Sequence, residues 1–297
     1  MEKRIDLHIH TNKSDGALTP KEVIDEAVKN GVDTIAIADH DTVEAYDDEL
    51  FEYAKAKKIK LITAVEISTK TAKSGIHVLG YNINLNNKEL INKLYKLRNA
   101  RHIYLHDVAE KLEELGYKVN VEELDKVDSV TKGHIALDVV SNSKNKEILI
   151  KNFGHIPGKG EFIETIMNEG CPAYVEKSTI TPRQAAELIR EAGGKAVLAH
   201  PVAYEHEDNL DENEILDIVK DMKADGIETN YIYINRNNEI INEIQKWNEF
   251  AQKYNLPVTI GSDFHSKDGI RPEIGLANQD VEFNEEYLEK IVEWIEK

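Results

Sequence analysis

The sequence predicts an α/β fold in which short buried strands alternate with helices. Seven apolar runs are continuous rather than alternating, as is typical of strands that are covered on both faces. Helical patterns separate most of these runs, and this repeated order favours a parallel sheet. A chain of 297 residues is long enough to bury a full core, either as one large domain or as a domain with an insertion. Seven strands fit a closed barrel as well as an open sheet.

The predicted strands carry valine and isoleucine, which suit a buried pleated surface. In chain order they cover residues 5–10, 34–38, 61–67, 76–81, 196–199, 226–229 and 258–261. Two helices have clear start signals, because Thr19-Pro20 and Thr181-Pro182 each place a capping threonine before a first-turn proline, and glycine follows each helix. Further helical patterns cover residues 43–57, 212–223, 238–254 and 285–296.

One segment, from about residue 86 to about residue 177, interrupts this order. It begins with a long charged helical pattern over residues 88–115 and continues with weakly periodic sequence. We interpret it as an inserted small domain, mostly helical, between two barrel strands. The predicted organisation is a first barrel part at residues 1–85, the insertion at 86–177, and a second barrel part at 178–297.

Composition excludes several classes of protein. With 37 Lys+Arg against 55 Asp+Glu the formal net charge is −18, and such an acidic surface repels duplex nucleic acid. No apolar run reaches the length that a membrane span needs, and the beginning MEKRIDLHIH lacks a secretory signal. The single cysteine, Cys171, cannot form an internal disulfide, which favours a reducing compartment. We therefore expect a cytoplasmic protein with no membrane or duplex partner, and the sequence indicates no obligate protein partner.

Histidines and acids repeatedly close the apolar runs. His8 and His10 lie two apart on the first strand, and such residues share a face, so both rings can reach one point. Most of the others stand at or just past the carboxyl end of a predicted strand, where α/β folds place their chemistry, whereas His77 begins its run. The complete set is His8, His10, Asp15, His40, Glu66, His77, His200, Asp263 and His265.

A metal cluster explains this set better than helix capping or core packing does. Any one of these residues alone is more commonly a cap or a satisfied core residue, but six histidines and three acids closing successive strands indicate ligands. A catalytic zinc ion typically takes about three protein ligands plus water. Nine candidates therefore predict two or three metal ions, and a carboxylate such as Glu66 is able to bridge them.

Six segments match, in order, the motifs of a known family: DLHIHTNKSDG, IAIADHDT, AVEIS, HVLGY, GGKAVLAHP and GSDFH. Through them the chain resembles the PHP (polymerase and histidinol phosphatase) family of metal-dependent phosphoesterases. Within that family it is most similar to the stand-alone branch that includes 3′,5′-nucleoside bisphosphate phosphatases and a related 5′→3′ exoribonuclease. The insertion matches this branch more loosely, through Arg98, Arg101, GHIA at 133–136 and PAYV at 172–175.

The resemblance implies a distorted (β/α)7 barrel, the PHP fold, with an inserted, mostly helical small domain that closes over the nucleotide. It also implies a trinuclear metal centre, often of manganese, iron or zinc. By matching motif positions, the ligands are the nine residues named above, with Glu66 as the bridging carboxylate. We expect two or three divalent ions, Mn²⁺ first, with Fe²⁺ or Zn²⁺ as alternatives.

The insertion departs from the branch at a phosphate-binding segment. Members commonly have an Arg-Pro-His-type segment followed shortly by a second arginine. Here the first arginine corresponds to Lys132, His134 is kept, and the second basic position falls on Leu137. Lysine binds phosphate as a point charge whereas arginine binds it bidentately. We expect Lys132 and His134 to bind a substrate phosphate, and the departure bears on the preference for bisphosphates rather than on the metal chemistry.

The predicted function is hydrolysis of phosphomonoesters of small nucleotides, of the 3′,5′-nucleoside bisphosphate type, with 5′–3′ trimming of a short single-stranded RNA end as a related activity. The expected nucleophile is a hydroxide shared by two metals. Asp15, Glu66 and His200 are the catalytic candidates, with Asp15 and His200 primarily ligands that assist the leaving group. Two alternatives stay open: a phosphatase for another small phosphate such as histidinol phosphate, and a non-catalytic metal-binding regulatory module.

Overall fold

The computed structural model describes residues 4–127, 130–176, 179–235, 237–267, 269, 272–275 and 285–297, and only the backbone of Arg101. The chain forms two compact units, one of Met1–Leu94 with Ile180–Lys297 and one of Tyr95–Thr179. Lys177, the expected end of the insertion, and the Arg101 side chain, which belongs to the loosely matching segment, lie outside the described residues.

The strands of the first unit build a barrel-shaped sheet. Those described are β1 (Ile5–Ile9), β2 (Thr34–Ile37), β3 (Lys60–Lys70), β4 (Gly75–Tyr81), β5 (Lys195–Leu198), β6 (Gly226–Asn230), β7 (Tyr233–Ile234), β8 (Ile240–Ile241) and β9 (Val258–Ile260). β7 and β8 pair with each other, and the other seven form one sheet in chain order. The sheet nearly closes, because a parallel bridge joins Ile9 to Phe264 and the His10 amide donates to the Phe264 carbonyl at 2.9 Å. The predicted α/β barrel of seven strands is confirmed.

The parallel order that the sequence favours does not hold at β4, which runs antiparallel to both β3 and β5. Only four residues separate β3 from β4, too few for the crossover that a parallel connection needs. The chain therefore reverses in a tight turn, in which the Thr71 amide donates to the Ser74 carbonyl at 2.8 Å. This reversal brings the start of β4, with His77, to the edge where the parallel strands end.

The described helices are α1 (Pro20–Lys29), α2 (Asp48–Ala56), α3 (Lys88–Glu114), α4 (Val121–Leu124), α5 (Lys132–Ser141), α6 (Lys146–Phe153), α7 (Lys159–Phe162), α8 (Pro182–Glu191), α9 (Pro201–Asp208), α10 (Glu212–Met222), α11 (Ile244–Lys253) and α12 (Glu285–Glu296). Thr19 and Thr181 cap α1 and α8 in full capping boxes, as their sequence signals predict. In the part of the chain that is described, no helix is long and apolar enough to cross a bilayer.

The helix predicted over residues 238–254 is wrong in its first part, since β8 occupies that stretch and α11 begins only at Ile244. The Asn235 side-chain oxygen accepts hydrogen bonds from the amides of Asn237 and Glu239. Asparagine commonly forms such local bonds, which compete with a helix and favour a turn. The turn reverses the chain between β7 and β8.

Small and branched side chains fill the barrel, and α12 packs across its amino-terminal end. Leu288, Ile291 and Ile295 of α12 join the core formed by strand residues such as Leu7 and Ile62. An ion pair of 2.7 Å between the Lys60 ammonium, at the start of β3, and the Glu296 carboxylate fixes the helix at this end. Polar side chains occupy the opposite edge of the barrel, where the parallel strands end.

The second unit folds around its own apolar core and contains no strand among its described residues. The largest core side chains include Leu105, Leu112, Tyr117, Leu149 and Phe162. The edge of the Tyr117 ring packs against Phe162, with 5.2 Å between the ring centroids. This helical composition agrees with the mostly helical insertion that the sequence predicts.

Replacing Ile295 by alanine tests the α12 packing. Ile295 is fully buried, so Ile295→Ala should lower the free energy of unfolding by about 2–5 kcal/mol through lost burial and a residual cavity. Urea denaturation measures this loss. The matched variant Ile240→Ala removes the same atoms from a side chain that is 70% exposed and should change stability by less than about 0.5 kcal/mol. Equal losses in the two variants would contradict the assigned packing.

Candidate metal centre

The nine histidine and acidic side chains converge at the edge of the barrel where the parallel strands end. A parallel bridge between His40 and Glu66 joins the segment after β2 to β3, and His77 on β4 lies opposite Ser68 of β3. Because β4 is reversed, its first residues reach the same edge as the ends of its neighbours. His200 follows β5 directly, and Asp263 and His265 lie shortly after β9. The structure therefore brings all nine residues together.

Glu66 lies at the middle of this cluster and is 1% exposed. Its carboxylate oxygens lie 3.0–3.3 Å from nitrogens of five imidazole rings. The contacts are made by Oε2 with His8, His10 and His40, and by Oε1 with His77 and His200. One carboxylate thus contacts ring nitrogens on both of its oxygens, as a bridging ligand would.

Asp15 and Asp263 supply the other two carboxylates. Asp263 Oδ1 lies 3.1 Å from His10 Nε2 and 3.5 Å from His8 Nε2. Asp15 Oδ1 lies 3.5 Å from His10 Nδ1 and 3.4 Å from His265 Nε2. The His10 ring therefore has an acid on each of its two nitrogens.

Three groups of these residues could each hold a metal ion, because their candidate ligand atoms lie within 4.8 Å of one another. The groups are His10, Asp15, His40 and His265; His8, His10, Glu66 and Asp263; and His40, Glu66 and His77. Each pair of groups shares one residue, so the three positions adjoin. His200 is outside these groups, but its Nε2 lies 3.2 Å from Glu66 Oε1 and 3.4 Å from His77 Nδ1.

The residues fit divalent cations. Buried polar atoms normally have hydrogen-bond partners, and an unsatisfied one is costly. Among the described residues, four buried atoms of the cluster have close neighbours at most but no hydrogen bond of regular geometry: Asp15 Oδ1, His40 Nδ1, Glu66 Oε2 and His200 Nδ1. Imidazole nitrogens with carboxylate oxygens suit zinc, iron and manganese. The chain therefore has the donor set of a divalent metal site.

Burial and neighbouring charges shift the pKa values of the clustered side chains in opposite directions. Burial lowers the pKa of His40 to about 3, so this ring is neutral and has a lone pair to donate. Burial by itself would raise the pKa of Asp263, but the nearby rings of His265 and His8 outweigh it and hold the pKa well below its ordinary value. Burial would lower the pKa of His10, yet hydrogen bonds to Asp263 and Glu66 raise it to about 10. Cations would compete with the proton for this ring.

A buried aspartate, Asp39, fixes the loop that carries Asp15. Its carboxylate accepts hydrogen bonds from the Thr11 amide at 2.7 Å, from the Thr11 hydroxyl at 2.6 Å and from the Ser14 hydroxyl at 2.6 Å. Burial raises the pKa of Asp39, and these donors stabilise its charged form. The loop is therefore held in place before any ligand binds.

Two site residues have backbones in the left-handed region, His200 at φ 21° and Asp263 at φ 52°. Such conformations are costly for residues other than glycine and persist only when the surroundings enforce them. The His200 amide donates to Glu228 Oε2 at 3.0 Å, and the Tyr231 hydroxyl donates to Asp263 Oδ2 at 3.4 Å. The local strain indicates that function, not backbone preference, sets these two positions.

Sequence reasoning missed Glu228, which lies on β6 and is fully buried. Both of its carboxylate oxygens lie 3.1 Å from His8 Nδ1. A signal was present, because a glutamate inside the predicted buried strand 226–229 is rarely tolerated without a polar partner. The sequence does not show which residue that partner is.

A cleft of about 440 Å³ opens beside the centre. One side is lined by site residues such as His77 and His200, and the other by Tyr231, Tyr233 and Glu207. The Tyr233 hydroxyl donates to Glu207 Oε1 at 2.9 Å. None of the cleft-lining residues that the structure describes is lysine or arginine. A cleft of this size is within the range of small-molecule sites.

Lys132 and His134, the predicted phosphate-binding residues, lie in the second unit at the first turn of α5. The Lys132 ammonium donates to Asn168 Oδ1 at 3.0 Å. The His134 ring accepts a hydrogen bond from the Thr131 amide at 3.1 Å, which completes a capping box. Leu137, at the position that is basic in the resembling branch, is 49% exposed.

The fold and this centre define a metal-dependent hydrolase of phosphoric esters. The chain belongs to the PHP domain family, whose model matches residues 6–192. This assignment confirms the resemblance carried by the motifs and places the chain among enzymes rather than non-catalytic modules.

Two relatives and one solved structure are similar along most of the chain. The chain is 30% identical over 267 residues to the 5′-3′ exoribonuclease Rnm of Escherichia coli, covering 88% of this chain and 84% of that protein. It is 27% identical over 266 residues to the 3′,5′-nucleoside bisphosphate phosphatase of Chromobacterium violaceum, covering 88% and 87%. A candidate metal-dependent phosphoesterase of Bifidobacterium adolescentis has the same fold, with a TM-score of 0.72, 20% identity, and coverage of 99% and 96%.

The close fit around Gly261 gives a test of the His8 environment. A Cβ added at Gly261 would lie 2.3 Å from His8 Cβ and 2.4 Å from Glu228 Oε1, so Gly261→Ala must displace one of them. We expect a loss of stability of about 1–3 kcal/mol and less bound Mn²⁺ after dialysis, measured by denaturation and metal analysis. Gly160→Ala, with nothing within 4 Å of the added Cβ, is the matched control and should change neither. Unchanged metal content in Gly261→Ala would contradict the fit.

Proposed function

We propose that this chain hydrolyses phosphomonoesters of small nucleotides, of the 3′,5′-nucleoside bisphosphate type. The observation that carries the proposal is the Glu66 carboxylate, which contacts five imidazole rings at 3.0–3.3 Å beside an open cleft. A dense cluster of histidines and acids of this kind suits phosphoryl transfer to water, which needs strong charge stabilisation. The similarity to a 3′,5′-nucleoside bisphosphate phosphatase supports the substrate class.

We propose that two or three divalent ions are held by the nine clustered residues, with Mn²⁺ first and Fe²⁺ or Zn²⁺ as alternatives. Glu66 would bridge, since each of its oxygens faces different rings. Bound divalent ions supply Lewis acidity toward phosphoryl oxygens and lower the pKa of coordinated water. Three overlapping groups of ligand atoms support a number above one.

The chain's own residues orient the reacting groups. Asp39 fixes the loop that carries Asp15, and the strained backbone of His200 directs its ring toward Glu66 at 3.2 Å. Asp15 and His200 are primarily ligands in this proposal, and they also assist the departure of the leaving alkoxide. Because metals lower the pKa of water, no separate protein base is needed.

A second activity, 5′–3′ trimming of short single-stranded RNA, is favoured by the similarity to a 5′-3′ exoribonuclease over 88% of this chain. Cleavage at a chain end uses the same phosphoryl chemistry as phosphomonoester hydrolysis.

We also propose a cytoplasmic location. The single thiol, Cys171, makes a hydrogen bond to the Glu164 carbonyl at 3.3 Å and suits a reducing compartment.

A phosphate-release panel tests the proposed reaction. Purified protein supplied with Mn²⁺ should release inorganic phosphate from 3′-phosphorylated AMP more efficiently than from AMP or histidinol phosphate, and EDTA should abolish the release. A 5′-phosphorylated oligoribonucleotide in the same panel should be shortened from its 5′ end. Release confined to histidinol phosphate would overturn the nucleotide assignment, and a flat panel from protein with confirmed bound metal would overturn the enzyme assignment.

Glu66→Gln tests the bridging role of Glu66 in the same phosphate-release assay. Losing the bridging charge should reduce activity by more than the roughly 10–100-fold that loss of an outer-shell partner costs. Glu110→Gln, which makes the same change at an exposed position of α3, should keep full activity. If folded Glu66→Gln kept full activity, the bridging role would be wrong.

We propose that Lys132 and His134 bind a second phosphate of the substrate. Both lie in the first turn of α5, where the positive end of the helix dipole favours an anion. Lysine in place of the branch's arginine supplies charge without a bidentate geometry. The exposed Leu137 adds no charge, so the proposed second-phosphate contact rests on Lys132 and His134.

Lys132→Ala should raise the KM for 3′-phosphorylated AMP by about tenfold, since a charge-assisted hydrogen bond contributes about 1.5–3 kcal/mol. The KM for AMP, which lacks the second phosphate, should not change. Lys144→Ala, at an exposed lysine of the same unit, should alter neither value. Steady-state kinetics on the two substrates measure the difference, and an equal rise for both would contradict a role in second-phosphate binding.

A further inference from the structure

Glu228 is a buried carboxylate that contacts the metal centre without belonging to the nine clustered residues. It is fully buried on β6, with both carboxylate oxygens 3.1 Å from His8 Nδ1 and one oxygen 3.0 Å from the His200 amide nitrogen. We propose that Glu228 is a positioning residue, which fixes the His8 ring and the His200 backbone so that their ligand nitrogens face the metals. This inference rests on the proposed metal centre.

The first contact determines which nitrogen of His8 can bind a metal. Carboxylate oxygens are hydrogen-bond acceptors, so their position places the ring proton on Nδ1, the nitrogen beside Glu228. The lone pair is then on Nε2, which lies 3.3 Å from Glu66 Oε2 and 3.5 Å from Asp263 Oδ1. A proton on Nε2 would leave two acceptors facing each other at Nδ1. Glu228 therefore selects the tautomer that can ligate.

The second contact acts on the backbone. The His200 residue has φ 21° and ψ 64°, a costly conformation that its surroundings must enforce. The hydrogen bond from its amide to Glu228 is one such contact, and it fixes the point from which the ring reaches Glu66. Glu228 thus links one ligand at the end of β5 with another on β1.

The packing around Glu228 argues against a purely structural role. A carboxylate removed from water is expensive, and replacing a buried ionic group by a neutral one of similar volume is often neutral or stabilising. Glu228 nevertheless occupies this position, and residue 261 is glycine, where any Cβ would lie 2.3 Å from His8 Cβ and 2.4 Å from Glu228 Oε1. The space that Gly261 leaves for this carboxylate indicates that its hydrogen bonds to His8 Nδ1 and to the His200 amide are functionally important.

The test titrates metal-free full-length protein with Co²⁺ and follows the visible d–d absorption. Relative to wild type, Glu228→Gln should weaken the binding steps that use His8 or His200 by about 10–100-fold, the usual cost of losing a carboxylate behind a ligating histidine. The other steps should keep their affinities. A merely structural role would lower the unfolding temperature of the metal-free protein and leave the Co²⁺ affinities and spectrum as in wild type, and that result would overturn the proposal.

Asp225→Asn is the matched control. Asp225 lies just before the same strand, at its other end, where its carboxylate accepts hydrogen bonds from the Ala196 amide at 2.9 Å and from Arg190 at 3.3 Å. The change from carboxylate to amide is the same, but Asp225 contacts backbone and arginine rather than a site histidine. Its Co²⁺ titration should match wild type. An equal weakening in this variant would overturn the specific role of Glu228.

A measurement on the wild-type protein keeps the proposal testable if Glu228→Gln does not fold. In Zn²⁺-loaded protein, the ¹⁵N–¹H spectrum of the histidine rings should show the His8 proton on Nδ1, and a proton on Nε2 would overturn the assignment. Two outcomes distinguish the proposed metal centre from the proposed role of Glu228. Wild-type protein that binds no Co²⁺ would overturn the metal centre and this role together, whereas normal binding in both wild type and Glu228→Gln would overturn only the role of Glu228.

Discussion

The structure of the centre depends on one constraint, a carboxylate buried where water cannot solvate it. Glu66 is 1% exposed, and a charged group in such a place must be surrounded by groups that stabilise its charge. Five imidazole rings do so, and they come from four different strands or strand ends. The reversal of β4 places the His77 ring, and the strained backbone of His200 places its own ring, beside this carboxylate. The barrel edge is thus organised around a single negative charge.

The centre also explains how a chain with a formal charge of −18 can act on phosphates. The net charge opposes long-range attraction of nucleic acid, and the described lining of the cleft has no lysine or arginine. Attraction for a phosphate must therefore be local, and divalent ions held by the clustered acids and histidines would supply it. Such an arrangement is consistent with the proposed small-nucleotide substrate.

The clustered metal-site residues and the proposed phosphate-binding residues lie in different units. All nine clustered residues belong to the first unit, whereas Lys132 and His134 belong to the second, which has a separate apolar core. A family fold can keep its reaction while the contacts to the rest of the substrate vary. Lys132 and Leu137, which stand where the resembling branch has arginines, lie in the second unit, so under the proposed function they would affect substrate binding rather than the reaction.

The sequence by itself determined seven buried strands alternating with helices and the set of nine clustered residues, because apolar runs and the placement of His8, Glu66 and His200 along them are local patterns. The barrel is an expectation from the family resemblance, since the apolar runs fit an open sheet equally well. Only the tertiary structure decided the direction of β4 and the partner of Glu228. The sequence separation of 220 between His8 and Glu228 leaves no local signal for their pairing, since a side chain's partner depends on how the strands are arranged in the sheet. Local sequence patterns identify the residue types of the site, but contacts between distant strands form only when the sheet closes into a barrel.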